Sequence, residues 1–184
     1  MDDLSEKINE CLQRAWPAIS TINWPDYGEK ITGYDPQTNL PKYTGVIIHS
    51  VDDGSVCGAN TQSHGILLFP ATSAQMVMNK VTSLLECRAV QTSIDIRNPK
   101  EHIYGGGIRL HGNVSSIYAL SGLPEIADHV LIATLMLRCC PLSESLHKNL
   151  LSLETNQMNE ALNSIGMSPD QYTKLVEHML DIIQ

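Results

Sequence analysis

The sequence predicts a single mixed α/β domain of the α+β class, with a central, mostly antiparallel sheet of about five strands covered by helices. Two observations lead to this prediction. Segments rich in β-branched residues between Gly45 and Leu120 are joined mainly by short turn sequences, which is typical of hairpins. Apolar residues at helical spacing lie before, between and after those segments. An extra pair of helices is predicted at the C-terminal end.

Five helices are predicted from this spacing and from helix start and stop signals. Pro17 is expected to end the first helix. A capping box of Thr72 and Gln75 is expected to begin the second, and Pro124 suits the first turn of the third. The helices are predicted at 1–16, 72–85, from 124 until Pro141, 158–165 and from 169 onward, with Gly166 and Ser168 as caps of the last two.

The predicted strands follow from alternating or continuous apolar runs bounded by turn residues. Asp-Gly at 53–54 favours a hairpin, and His111-Gly112-Asn113 is a second connection of hairpin type. The strands are predicted at 45–51, from 56, at 65–69, 92–97, 102–110 and 114–120.

Residues 17–44 interrupt this regular pattern. The segment carries four of the nine prolines and several aromatic residues, without a usable period. We predict an irregular segment that is packed through its aromatic side chains and that serves as a lid or a partner contact. The predicted organisation is therefore a helix at 1–16, this segment at 17–44, a sheet with helices at 45–140, and closing helices at 141–184.

Composition excludes some function classes. Aspartate and glutamate outnumber lysine and arginine by 20 to 12, which disfavours nucleic acid as a partner. The first residues lack the pattern of a secretory signal, and no apolar run is long enough to span a membrane. The five cysteines are scattered and odd in number, which favours free thiols. We expect a cytoplasmic protein without a membrane partner.

The strongest candidate site is built on glycine. Gly105, Gly106 and Gly107 fall within a predicted strand, where side-chain-free positions indicate a bulge or the close approach of a ligand. Ser121 and Gly122 form the following strand-to-helix corner, whose unpaired N–H groups suit an anion. Both segments lie at the same end of one predicted hairpin. The basic residues expected to contact an anionic ligand there are Lys80 and Arg109.

Histidine and cysteine give weaker signals. None of the seven histidines has the spacing of a zinc site, and no cysteine pair has C-x-x-C spacing. A nucleophilic Cys57 with His49 or His64 as its base is compatible with neighbouring strands, although cysteine is more often a small core residue. The sequence therefore leaves an enzymatic function open but does not favour one.

Residues Tyr104 to Leu137, YGGGIRLHGNVSSIYALSGLPEIADHVLIATLML, resemble the C-terminal half of the haem-degrading-domain family, which includes GlcG, HbpS and the C-terminal domain of PduO. The helix around Lys80 is similar to the preceding helix of that family, so that the resemblance covers mainly residues 73–137. It implies an antiparallel sheet covered by helices, frequent homo-oligomers, and haem or another small ligand bound near the glycine strand. If the ligand is haem, His102 or His111 is the expected axial ligand of the iron.

The function expected from these observations is the non-catalytic binding of a small ligand, for which haem, a corrinoid-like compound and an organic acid are candidates. A second hypothesis is a chaperone-like or adaptor module that binds a protein partner through residues 16–43 or through the last helix. A third is a small enzyme that uses a cysteine and histidine site.

Overall fold

A computed structural model of the chain describes residues 2–31, 45–51, 62–63, 71–110, 115–140 and 151–183. Within these ranges the protein is mostly helical. The chain divides into two compact units, one made of residues 1–42 and 133–184 and the other of residues 43–132. The single domain predicted from the chain length stays a prediction, and each unit is described by itself.

The second unit contains a small antiparallel sheet. Its strands are β1 (Gly45–Val51), β2 (Gln62–Ser63), β3 (Gly107–Leu110) and β4 (Ser115–Ser121). The order across the sheet is β2-β1-β4-β3, so β4 lies between β1 and β3. In the register, Ala119 pairs with both Ile47 and Gly107. Residues 117–120 of β4 are buried on both faces, as expected for a central strand.

Helix α2 (Ala71–Glu86) packs on one face of this sheet. Its buried residues Val77, Val81 and Leu84 form a hydrophobic cluster with Ile117 and Ala119 of β4. Helix α3 (Glu125–Cys139) follows β4 and is buried along nearly its whole length, as its apolar sequence predicted.

The prediction of a central sheet of about five strands covered by helices is wrong. The described part of the chain is mostly helical and contains only a small antiparallel sheet. Residues 92–97, which alternate like a strand, contain a 3-10 helix at Ser93–Ile96. The Thr92 hydroxyl donates to Asp95 Oδ2 at 2.7 Å, and such local side-chain bonds compete with strand pairing. The strand predicted at 102–110 is shorter, because Gly106 has a φ of +104° and β3 begins after it. The strands predicted from 56 and at 65–69, and both predicted hairpin turns, lie outside the described residues.

The described part of the first unit contains three α-helices besides the last part of α3. They are α1 (Asp2–Ile19), α4 (Asn156–Ile165) and α5 (Pro169–Ile182). The predicted caps of the closing pair are confirmed. Gly166 ends α4 with a φ of +64°, and Ser168 with Gln171 forms a capping box at the start of α5.

The prediction that Pro17 ends the first helix is wrong, because α1 continues to Ile19 with Pro17 inside it. A proline near the last turn removes one backbone hydrogen bond. The buried residues Ala15 and Ile19 lie on one face, and their burial offsets that loss.

Part of the irregular segment predicted at 17–44 is described, and its aromatic residues pack inside the first unit. Trp24 is fully buried in a 3-10 turn, and the hydroxyl of Tyr27 is hydrogen-bonded to Nδ1 of His178. The backbone N–H of Lys30 donates to the carbonyl of Ile165, which attaches the segment to the end of α4. Residues 32–44 lie outside the described residues.

Candidate functional site

The glycine segment and the strand-to-helix corner lie side by side, as their positions in the hairpin predicted. The N–H of Leu120 donates to the carbonyl of Gly106 at 2.8 Å, and Gly107 pairs with Ala119. Gly122, which also has a positive φ, leads from β4 towards α3. The chain therefore brings Gly105–Gly107, Ser121–Gly122 and the start of α3 together in one unit. We call this region the glycine corner.

Lys80 reaches the glycine corner from α2. Its Nζ donates to the carbonyl of Leu120 at 2.6 Å and to Oδ2 of Asp128 at 3.1 Å. The two side chains are only 1% and 3% exposed. This is a buried ion pair, and the positive charge predicted to meet an anionic ligand is already neutralised by the protein.

The space in which a ligand was predicted to approach the glycines is filled by protein atoms. A Cβ on Gly106 would lie 2.8 Å from Cβ of Asp128, 2.9 Å from the Leu120 carbonyl oxygen and 2.9 Å from Nζ of Lys80. At Gly105 it would meet a methyl group of Ile94 at 2.9 Å. Glycine is needed here because the ion pair approaches the backbone closely.

Backbone N–H groups of the glycine segment also have partners within the protein. The N–H of Gly105 donates to Oε1 of Glu125 at 3.0 Å, and that of Gly107 donates to the Ser93 hydroxyl at 2.9 Å. Glu125 is held in turn by Nε of Arg97, at 2.9 and 3.1 Å from its two carboxylate oxygens. The N–H groups of Gly105 and Gly107 are thus occupied by side chains.

Asp128 is a residue of this corner that the sequence did not reveal. Its Oδ1 accepts from the N–H of Leu123 at 2.9 Å, so the carboxyl group ties the loop before α3 to the helix itself. Burial raises the pKa of Asp128 to about 6, although the charge of Lys80 and the N–H groups of Leu123 and Gly122 act in the opposite direction. The available signal was a second acidic residue, after Glu125, in the first turn of a largely apolar helix.

Arg109 differs from Lys80, although both were predicted as contacts of an anion. It is 5% exposed, and its backbone N–H donates to the carbonyl of Gln91 at 2.7 Å. Its Nη1 makes a long contact of 3.4 Å with the carbonyl of Arg88. Within the described part of the chain, Nε and Nη2 of Arg109 have no hydrogen-bond partner. Burial, and then the positive charge of Arg88, lower the pKa of Arg109.

The remaining candidates are Ser121, which lies in the glycine corner, and the histidine and cysteine residues. Ser121 is buried, with its hydroxyl 3.9 Å from the sulfur of Met76. His102 is exposed at the end of a 3-10 helix with a φ of +57°. His49 lies on β1 opposite Ile117. Cys57, His64 and His111 lie outside the described residues, and the described ones contain no group of three side chains suited to a metal ion.

Comparisons of the chain with protein-family models, with curated proteins and with solved structures gave no match in any of the three. Among the described helices, none has the length and apolar character needed to cross a membrane.

We expect Gly106→Ala to lower the free energy of unfolding by roughly 3 kcal/mol or more, because the methyl group meets buried backbone and charged atoms and the φ is positive. Gly166→Ala is the control. It has a positive φ, but its nearest contact would be 3.4 Å, so we expect a loss of roughly 1 kcal/mol. Chemical denaturation of both variants measures the difference, and equal losses would contradict the close packing at Gly106.

Lys80→Met should destabilise the protein by about 3 to 5 kcal/mol, because it leaves the buried carboxylate of Asp128 without its counter-ion. The double variant Lys80→Met/Asp128→Leu removes both charges, and we expect it to recover most of this loss. Urea denaturation of the two variants gives the comparison. A double variant that is no more stable than Lys80→Met would show that the pair is not isolated from solvent.

The raised pKa of Asp128 predicts a specific pH dependence. Between about pH 4 and pH 6 the folded protein keeps a proton that the unfolded chain has lost, so the contribution of Asp128 to stability falls as the pH rises through this window. Above about pH 6 the contribution of Asp128 to stability no longer changes with pH. We expect the free energy of unfolding, measured relative to Lys80→Met/Asp128→Leu, to fall by up to about 3 kcal/mol over the window. A difference that rises with pH would contradict this assignment.

Proposed function

We propose that the protein is a non-catalytic binding protein for a small anionic ligand, whose acidic group is bound by Arg109. The observation that carries this proposal is the buried guanidinium with two unpartnered nitrogens in the described part of the chain. A guanidinium keeps its charge in a protein, and a charge that is buried without partners is costly. An anionic ligand would supply the missing acceptors.

The geometry of the guanidinium supports a carboxylate or a phosphate as the group that binds. Nε and Nη2 form one edge of the planar group, while Nη1 points to the Arg88 carbonyl. Two N–H groups on one edge match the two oxygens of a carboxylate in a bidentate pair.

The surroundings of Arg109 also support a ligand that reaches it from solvent. The adjacent residues Cys87 and Arg88, just after α2, are both exposed, so the guanidinium lies close below the surface. The nearby charge of Arg88 adds to the positive potential that an anion would meet.

The resemblance to the haem-degrading-domain family agrees with a small-ligand function, and haem carries carboxylate groups that Arg109 could bind. The adaptor hypothesis has less support. Trp24 is buried, and the apolar stripe of α5, with Tyr172, Leu175 and Met179, is buried in the first unit. The hypothesis of a small enzyme with a cysteine and histidine site is not supported by any arrangement of the described residues.

Substitution of Arg109 tests the proposal. We expect citrate, inorganic phosphate or haemin to raise the melting temperature of the protein, because a ligand that binds the folded state alone stabilises it. Arg109→Met should abolish the response to that probe. Without any probe, Arg109→Met should melt at a higher temperature than the wild type, because it removes an uncompensated buried charge.

Arg138→Met is the matched control, because the Arg138 side chain is exposed and lies in the other unit. It should keep the response of the wild type. If no probe stabilises the wild type and Arg109→Met is less stable, Arg109 serves to stabilise the end of α2 and the proposal fails. A shifted Soret band with haemin that is weakened in Arg109→Met would identify haem as the ligand, and His102→Ala and His111→Ala would then test its axial ligand.

A further inference from the structure

Two cysteine sulfurs lie next to each other in the first unit. The Sγ of Cys11 in α1 is 3.6 Å from the Sγ of Cys139 at the end of α3, although the two residues are 128 positions apart. Both side chains are partly exposed and both are free thiols. A disulfide bond measures about 2.0 Å, so the two sulfurs would have to move closer together to form one.

We propose that Cys11 and Cys139 form a reversible disulfide when the protein reacts with a hydroperoxide. Cys11 and Cys139 belong to the first unit, whereas Arg109 belongs to the second. The pair needs no other residue to supply the second thiol.

The surroundings of the two sulfurs assign them different roles. Nη2 of Arg14 donates to Sγ of Cys11 at 3.3 Å, so a positive charge lies beside the sulfur that would attack. Burial, and then the hydrogen bond with Cys11, raise the pKa of Cys139 to about 12, which keeps it a thiol. Cys11 is therefore the attacking residue and Cys139 the resolving residue.

The hydroperoxide oxidises the two thiols to a disulfide in two steps. The Cys11 thiolate attacks one peroxide oxygen, the O–O bond breaks, and water or an alcohol leaves after taking up a proton, so that Cys11 becomes a sulfenic acid. The sulfur of Cys139 then attacks Sγ of Cys11, the S–O bond breaks, and the thiol proton leaves with the hydroxyl group as water. Two thiols have lost two electrons, and the hydroperoxide has gained them. A dithiol reductant reverses the oxidation by exchange.

Cys140 is not the expected partner of Cys139, although it is adjacent in sequence. Its Sγ is buried against the sulfur of Met136 at 3.9 Å, and burial raises the pKa of the Cys140 thiol to about 11. The Cys140 sulfur therefore contacts Met136 and is the less reactive thiol, because burial keeps it protonated.

Mapping of the oxidised 184-residue chain tests the proposal. Reduced protein is treated with hydrogen peroxide, its remaining thiols are alkylated, and peptides are analysed by mass spectrometry without reductant. We expect a peptide that links Cys11 to Cys139 and that disappears after dithiothreitol. Because the bond closes a long loop, the melting temperature of the oxidised protein should rise by roughly 5 to 15 °C.

Two variants serve as controls. Cys87→Ser and Cys140→Ser change cysteines outside the pair, and both should form the link at the wild-type yield, whereas Cys11→Ser should form none and should leave Cys139 open to alkylation. The proposal is overturned if peroxide links Cys139 to Cys140, if Cys11 is oxidised to sulfinic acid without a link, or if Cys11 and Cys139 both remain alkylatable. Peptide mapping of the wild-type protein tests for the disulfide between Cys11 and Cys139 even if Cys11→Ser fails to fold.

Discussion

The buried ion pair between Lys80 and Asp128 determines how the glycine corner is built. Removing two charges from water costs several kcal/mol for each ion, and the cost is offset when their remaining hydrogen-bonding groups are satisfied. Lys80 also donates to Leu120 at the end of β4, and Asp128 also accepts from Leu123. The pair therefore holds α2, β4 and the start of α3 in one arrangement, because displacing any of them would leave a charge buried without its partners.

The glycines follow from this constraint. Gly106 lies against both members of the ion pair, so that any larger residue would occupy their space. The flanking N–H groups of Gly105 and Gly107 are satisfied by Glu125 and Ser93. A run of three glycines in a strand indicates that something approaches the backbone closely, and at these positions protein side chains make that approach.

The helix caps, whose signals lie within a few residues, were predicted from the sequence, whereas the ion pair between two distant residues was not. The cap at Gly166 and the capping box at Ser168 were predicted because their signals lie within a few residues. Lys80 and Asp128 are 48 positions apart, and neither position carries a signal of the other. The strand predicted at 92–97 failed because alternation was considered without the hydrogen bond of Thr92 to Asp95, which stabilises a turn there.

Burial acts on Asp128, Cys139 and Arg109, but the three groups differ in how they can respond. A carboxyl group such as that of Asp128 can keep a proton, and a thiol such as that of Cys139 can remain neutral, so burial raises the pKa of both. An arginine keeps its charge at any pH that a protein experiences. Arg109 is nevertheless buried, and its Nε and Nη2 lack acceptors in the described part of the chain. Of these groups it alone requires a counter-ion that the described residues do not supply, which is why the proposed ligand is anionic and is assigned to Arg109.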